Sequence, residues 1–278
     1  MPWQDVDVGW GRRAPEAAYL FEKMHWREYG HILDQAGVTS GRRHLDIACG
    51  SGLAIQLAHE RGAIVSGLDA SERLVAIARA RTPSADIRVG DMFHLPFDDH
   101  SFDVATSCRG IWGNCLDALR EARRVVRPGG TIALSFWGHQ KQMQAYPLFA
   151  VLGRTNQAER QHTTSIVKIG LPGAAEQFMT EAGIEVGPRT SLKMHWEFPT
   201  VECAAHTLAS IGPAYLAIEH LGIDNFLEAM REAATSLYSD GIGIRAELYT
   251  SYWVSAAVDL YQATPADGSC PTSMSPAA

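Results

Sequence analysis

Between residues 44 and 69 the chain alternates apolar runs with one amphipathic stretch. Residues 44–48 form a strand-length, largely apolar run that ends at the turn Gly50-Ser51-Gly52. Leu53, Leu57 and Ala58 then share one helical face, and a second apolar run, 63–68, ends on Asp69. This pattern predicts a buried strand, a helix and a second buried strand joined by a right-handed crossover. Glycines at the turn let backbone N–H groups approach a ligand without side-chain obstruction. Asp69 falls at a strand's carboxyl end, where doubly wound sheets bind ligands, and an acid about 20 residues past such a turn commonly takes ribose hydroxyls.

The same rhythm continues on both sides. Residues 15–35 have helical spacing, with Leu20, Met24, Tyr29 and Leu33 among the apolar positions, and predict a helix capping the pocket. A helix over 71–81 opens on Ser71 with Glu72 in its first turn, both favourable at a helix N-terminus. Strands follow at 87–89, which delivers Asp91, and at 102–107, then a helix over 116–126 stopped by Pro128 and Gly129-Gly130, and a strand at 131–137. Beyond residue 137 the pattern weakens. Residues 138–172 read as irregular and polar, 173–182 as a helix, and 184–198 as a long strand broken at Gly187-Pro188. Helical segments are expected around 203–211, 215–220 and 226–237, and a last strand over 247–258. Residues 264–278, rich in Pro, Ser and Ala, read as a loose tail.

The glycine turn narrows the ligand by what it lacks. A dinucleotide fingerprint requires a third glycine, and Ile55 stands at that position; no Gly-Lys-Ser/Thr phosphate loop lies near a strand end. A ligand with a ribose and a small charged tail, but no phosphate, remains.

Asp46-Ile47-Ala48-Cys49-Gly50-Ser51-Gly52 resembles the D-x-G-x-G-x-G signature of class I S-adenosylmethionine-dependent methyltransferases, with Ala48 in place of the first glycine. Gly90-Asp91-Met92, Leu95-Pro96-Phe97 and Ser101-Phe102-Asp103-Val104 resemble further elements of that family in order. Glu121 with Arg124-Val125-Val126-Arg127-Pro128-Gly129-Gly130 resembles its closing element, so the likeness runs from residue 10 to 137, in the manner of the small-molecule, type 11 group. The resemblance implies an α/β fold: a Rossmann-like doubly wound sheet of about seven strands with the last strand antiparallel. N-terminal helices and an inserted helical lid complete it. Residues 1–40 would cap a cofactor core at 41–138. The remaining sheet (173–198 and 244–258) would carry a lid made of 139–172 and 200–240. The resemblance also places the last strand between the fifth and sixth.

Cofactor roles follow position by position from the same resemblance. The backbone of Gly50, Ser51 and Gly52 and the Ala48 carbonyl would face the methionine end of S-adenosylmethionine, with Asp46 and Ser107 at the adjoining strand ends. Asp69, beside Ala70, would grip the ribose hydroxyls. Asp91 would accept from the adenine amino group, with Met92 and Leu74 against the ring. Trp10-Gly11 followed by Ala14 resembles an element that brings an aromatic to the methionine end. A sulfonium over that ring would gain roughly 0.5–2 kcal/mol; the alternative for Trp10 is plain packing.

Composition and charge bear on the acceptor. The 278 residues are 46% hydrophobic and 20% charged, enough for a sizeable core. Net charge is −7, and basic residues run no longer than pairs such as Arg42-Arg43 and Arg123-Arg124, so no basic stripe supports a nucleic-acid partner. The strand at 102–107 runs into Ser107-Cys108-Arg109-Gly110, not the N/D-P-P-Y element of relatives that methylate base amino groups. A small-molecule acceptor is expected. Five irregularly spaced cysteines give neither a disulfide framework nor a metal signature. The polar N-terminus and the absence of a membrane-length apolar window predict a cytoplasmic protein without a membrane partner.

The reaction implied is displacement at the cofactor's methyl carbon by an oxygen, nitrogen or carbon nucleophile of a secondary metabolite or a quinone- or phenol-like compound, leaving S-adenosylhomocysteine. His139, just past the fifth strand, is the first candidate base, since histidine titrates near neutral pH. His25, His31 and His162 are alternatives. Arg109 and Trp112 follow the fourth strand where the family places residues near the transferred methyl, and Tyr146, Phe149, Trp196 and Tyr215 suit a flat apolar acceptor. Two other functions fit the same cofactor site: a non-methylating rearrangement steered by the sulfonium, and a regulatory cofactor-binding module.

Overall fold

The computed structural model describes residues 3–112, 115–155 and 168–257. Its centre is one sheet in the order β3-β2-β1-β4-β5-β8-β6, with the short β7 pairing β8. The strands are β1 (Arg43–Ile47), β2 (Ile64–Asp69), β3 (Asp86–Val89), β4 (Phe102–Cys108), β5 (Val126–Trp137), β6 (Arg189–Phe198), β7 (Tyr238–Ser239) and β8 (Gly243–Ala256). β1 to β5 are parallel, and β8 runs antiparallel between β5 and β6, as the resemblance implied. The strand order reverses between β1 and β4, so the crevice at their carboxyl ends is the switch point where such sheets bind ligands.

Helices cover both faces. They are α1 (Trp26–Gln35), α2 (Leu53–Glu60), α3 (Glu72–Arg81), α4 (Leu116–Val125), α5 (Tyr146–Leu152), α6 (Ala174–Glu181), α7 (Val201–Leu208), α8 (Gly212–Leu221) and α9 (Ile223–Thr235). Period-two alternation splits the strands between two cores. Leu45, Ile132 and Leu134 meet Leu119 of α4 and Phe178 of α6, whereas Val65, Val104 and Ala133 meet Leu33 of α1, Ile55 of α2 and Val75 of α3. A third core joins α5, α7, α8 and α9 to the antiparallel strands through Met194, Trp196, Phe198, Ile244 and Leu248.

Several boundaries differ from the sequence reading. The helix expected over 15–35 is present but not uniform: an α-helical turn at Ala14–Glu16 with Pro15 in its first turn leads through wide turns at Ala17–Phe21 and tight turns at Glu22–His25 into α1, with further helical turns upstream from Trp3. Leu20 there faces solvent. The segment after β5 is not wholly irregular, because Tyr146–Leu152 forms α5 and buries Leu148, Phe149, Val151 and Leu152. That run is apolar all round and gives no helical period to read. The predicted strand over 184–198 starts only at Arg189, with a single bridge from Glu185 to Ala256 upstream of Gly187-Pro188. β5 begins at Val126, directly after α4, and passes through Pro128 and Gly129-Gly130. His162 and the tail at 264–278 lie outside the described residues.

Candidate cofactor and acceptor site

β1 ends in a backbone that twists three times into the left-handed region, at Ala48 (φ 57°), Gly50 (φ 56°) and Gly52 (φ 82°). Gly52 also starts α2 against α3: a Cβ there would stand 2.7 Å from the Ala78 Cβ. The alanine that replaces the signature's first glycine has a partner elsewhere. Gly110, just past β4, leaves room for it, since a Cβ on Gly110 would stand 2.3 Å from the Ala48 Cβ. Gly110→Ala is therefore expected to destabilise the fold by about 1–3 kcal/mol, as overpacking does. Adding Ala48→Gly should recover more than half of the loss, and urea unfolding of the four-member cycle reads the coupling. Additive effects would refute the pairing. Ile55, at the absent third glycine, is accommodated in the same way: a Cβ on Gly67 would meet its Cδ1 at 2.3 Å.

Asp69 closes the turn from β2. One carboxylate oxygen accepts the Gly50 N–H and the other the Ser71 N–H, each at 2.8 Å. Burial pushes the Asp69 pKa up, and those two amides pull against it. Each oxygen keeps lone-pair capacity for a hydroxyl donor. Ser71 caps α3 through its hydroxyl, which accepts the Leu74 N–H at 3.2 Å. Ala70 is half-buried between them, and Leu74 is buried. Past β3, Asp91 accepts the Phe93 N–H at 2.9 Å and pairs with His94 at 3.1 Å, while Met92 packs half-buried against the core. Ser107 is turned inward, donating to the Ile47 carbonyl at 2.8 Å.

Asp46 lies beneath the turn and is nearly fully buried. Thr106 Oγ1 donates to it at 2.6 Å and pairs with His44 Nε2 at 2.9 Å. With the threonine proton on Asp46, His44 donates from Nε2. Burial pushes Asp46 up to about 7 and His44 down to about 3, so burial favours the uncharged form of both side chains.

Sequence reasoning missed three carboxylates of the N-terminal segment, each of which fastens a loop at the sheet's carboxyl edge. Asp7 accepts the Ser71 hydroxyl and pairs with Arg73 at 3.5 Å. Glu22 accepts the Ser51 hydroxyl and pairs with Arg81, whose guanidinium also donates to the Ser51 carbonyl at 2.9 Å. Glu28, fully buried, pairs with Arg109 and accepts the Ser135 hydroxyl at 3.2 Å. Acids on a helix of mixed polarity read as a solvated face, so nothing local marks them. Together they bind the segment to the loops after β2, β1 and β4.

Arg109 anchors the other half of the site. Its backbone is left-handed (φ 63°), a conformation rare outside glycine and typical of functional loops. Burial works against its charge, but Glu28, Tyr29 and Cys108 together outweigh that and hold its pKa above the usual value. The guanidinium donates to Tyr29 Oη at 2.9 Å and stands 4.7 Å from the Trp137 ring centroid. Around it Phe21, His25, Trp137, Phe149 and Trp196 join ring to ring at centroid distances of 4.7–5.8 Å.

Of the predicted lining residues, Arg109 and Trp196 meet in this cluster. Tyr146 is exposed, Tyr215 lies under the Arg12 guanidinium, and Trp112 packs with the opposite core beside α4. Trp10 rests on the first residue of α8, where a Cβ on Gly212 would strike its indole. His139 is half-buried two residues past β5, at the carboxyl edge. His31 is engaged by Tyr252 Oη at 2.8 Å.

A methyltransferase-domain family profile matches residues 45–134, the span from β1 to β5 that builds the cofactor edge. Over that span the chain is similar to the methyltransferase domain family. The demethylmenaquinone methyltransferase of Staphylococcus epidermidis is 35% identical over 115 residues, covering 38% of this chain and 47% of that protein. The chain spans about half the length of the curated relatives it matches. Among solved structures, the [4+2]-cyclase SpnF aligns at TM-score 0.56 with 19% identity, covering 87% of this chain and 85% of that one. Geranyl diphosphate methyltransferase in complex with SAM aligns at 0.51 with 16% identity, covering 84% and 85%. These structures share the methyltransferase fold. The family's cofactor fits the groups present here: two left-handed glycines at the end of β1, and a carboxylate 19 residues beyond Gly50 that is positioned by two backbone amides. Among the described residues no group of His, Cys, Asp or Glu could hold a metal ion, and no helix is long and apolar enough to cross a membrane.

Proposed function

We propose that this methyltransferase binds S-adenosylmethionine at the β1–β4 edge and transfers its methyl group to a small-molecule acceptor, a quinone- or phenol-like compound of secondary metabolism. The Asp69 carboxylate, held against the glycine turn, is the observation that carries the reading. Bound there, the cofactor supplies an electrophilic methyl carbon on a sulfonium sulfur. Asp69 takes the ribose hydroxyls, and Asp91 the adenine amino group, with Met92 and Leu74 beside the ring. Gly50, Ser51, Gly52 and the Ala48 carbonyl face the methionine end. Alignment alone can supply roughly 7–11 kcal/mol of the barrier, so the chain's main task is to hold the acceptor in line and keep water out. His139, at the same edge, is the candidate that accepts the nucleophile's proton.

The 35% identity to a demethylmenaquinone methyltransferase supports a quinone-like acceptor, and the aromatic cluster beside Arg109 supplies matching walls. Product mass tests the assignment. With labelled S-adenosylmethionine and a hydroquinone, a product heavier by one methylene equivalent should form together with equimolar S-adenosylhomocysteine. An isomeric product without S-adenosylhomocysteine would instead establish a rearrangement on the same fold.

A further inference from the structure

The glycine turn at the end of β1 is short of positive charge. Three carboxylates approach it from three elements: Asp46 on β1, Asp69 at the end of β2, and Glu22 in the N-terminal segment. Burial is the main reason that the pKa values of Asp46 and Asp69 are raised, and the nearby Glu22 carboxylate adds to both. Among the described residues only Glu22 of the three has a cation within ion-pair distance, the Arg81 guanidinium. A ligand that brings a positive charge to this turn is therefore favoured over one that brings only a negative charge.

The direction of the Glu22 carboxylate marks where that charge belongs. Its Oε2 accepts the Ser51 hydroxyl and pairs with Arg81, whose guanidinium also donates to the Ala18 carbonyl at 3.1 Å. Its Oε1 has only the Leu53 N–H among the described residues, at 3.4 Å, and keeps lone pairs for a stronger donor. That oxygen looks across Gly50. A Cβ on Gly50 would stand 3.6 Å from it, and within 4 Å of no other described heavy atom beyond the adjoining residues. The missing side chain thus leaves open space over the turn, bounded on that side by Glu22 Oε1. Phe21, next to Glu22, is buried in the core that joins α5, α7, α8 and α9 to the antiparallel strands. Packing on one side and Arg81 on the other hold the carboxylate in place, so little ordering remains to cost affinity.

We infer that Glu22 is a cofactor-binding residue whose Oε1 accepts a hydrogen bond from the ammonium group at the cofactor's methionine end, seated over Gly50 beside the Ala48 carbonyl. The inference rests on the proposal that S-adenosylmethionine binds at this edge. It adds a charged contact from outside residues 45–134, the span that the family profile matches.

Isothermal titration calorimetry of the full chain with three ligands tests it. S-Adenosylhomocysteine carries the ammonium and the carboxylate, its decarboxylated form keeps the ammonium alone, and 5′-methylthioadenosine has neither. Glu22→Gln removes the charge but keeps the shape of the side chain and an oxygen for the Ser51 hydroxyl. It should weaken binding of the first two ligands by about 10-fold or more, the effect of losing one hydrogen bond between ionised groups, and that of 5′-methylthioadenosine by less than about 2-fold. Because 5′-methylthioadenosine still needs Asp69, its unchanged binding also shows that the turn is intact in the variant. Equal or tighter binding of S-adenosylhomocysteine by Glu22→Gln would overturn the inference, as would an equal loss for all three ligands or a loss confined to S-adenosylhomocysteine. Failure of the parent chain to bind any of the three would overturn the cofactor reading, and the inference with it.

Discussion

Glu28→Ala is expected to lower the unfolding free energy by about 3–5 kcal/mol, the usual cost of removing one partner from a buried ion pair. Glu28 is fully buried, and its carboxylate meets both the Arg109 guanidinium and the Ser135 hydroxyl. Its removal strands a guanidinium that cannot neutralise itself, among Tyr29, Trp137 and the end of β4. Replacing both charges together, as Glu28→Leu with Arg109→Met, should cost distinctly less than Glu28→Ala alone, because no orphaned charge remains. Urea unfolding followed by tryptophan fluorescence measures the series. A loss below 1 kcal/mol for Glu28→Ala would contradict the buried pairing.

Asp69→Ala should reduce affinity for S-adenosylhomocysteine by about 100-fold or more. Two hydroxyl bonds to an ionised carboxylate are each worth about 1.5–3 kcal/mol, and every 1.4 kcal/mol is a factor of ten. The substitution also frees the Gly50 and Ser71 amides, which Asp69 holds at 2.8 Å, so the turn loses its shape along with its anion. Asp69→Asn separates these effects: its carbonyl can keep one of the amides, and its affinity should fall between those of the parent and the alanine variant. Undiminished affinity in Asp69→Ala would remove the ribose assignment.

The cofactor half was legible in the chain because its signals are local. A glycine must stand where φ is positive, an acid must follow at a crossover's distance, and a capping serine must precede α3; Gly50, Asp69 and Ser71 satisfy these within 22 residues. The Ala48 departure was visible, but its remedy was not, since Gly110 lies 62 positions away and meets Ala48 only through the β1–β4 pairing. The acceptor side was hidden for the same reason. Glu28, Arg109 and Ser135 come from three distant segments, and none of them breaks a local pattern. His25 sits in a stretch of tight and wide helical turns that has no single period, so its burial could not be read from spacing. Tyr146 and Trp196 looked equally apt as aromatics, and only the third dimension exposes one and buries the other.

The position of β8 has a consequence for synthesis of the chain. It follows the other described strands in the chain, yet it separates β5 from β6, pairing with β5 over seven positions and with β6 over ten. Until residues 243–256 leave the ribosome, β5 offers an open row of backbone donors and acceptors, and β6 has no neighbour to hold it. Unpaired edges of this kind recruit other chains. The cofactor-binding half therefore completes its sheet only once residues 243–256 have been made, and a protein arrested near residue 240 should collect as aggregate rather than as a working fragment.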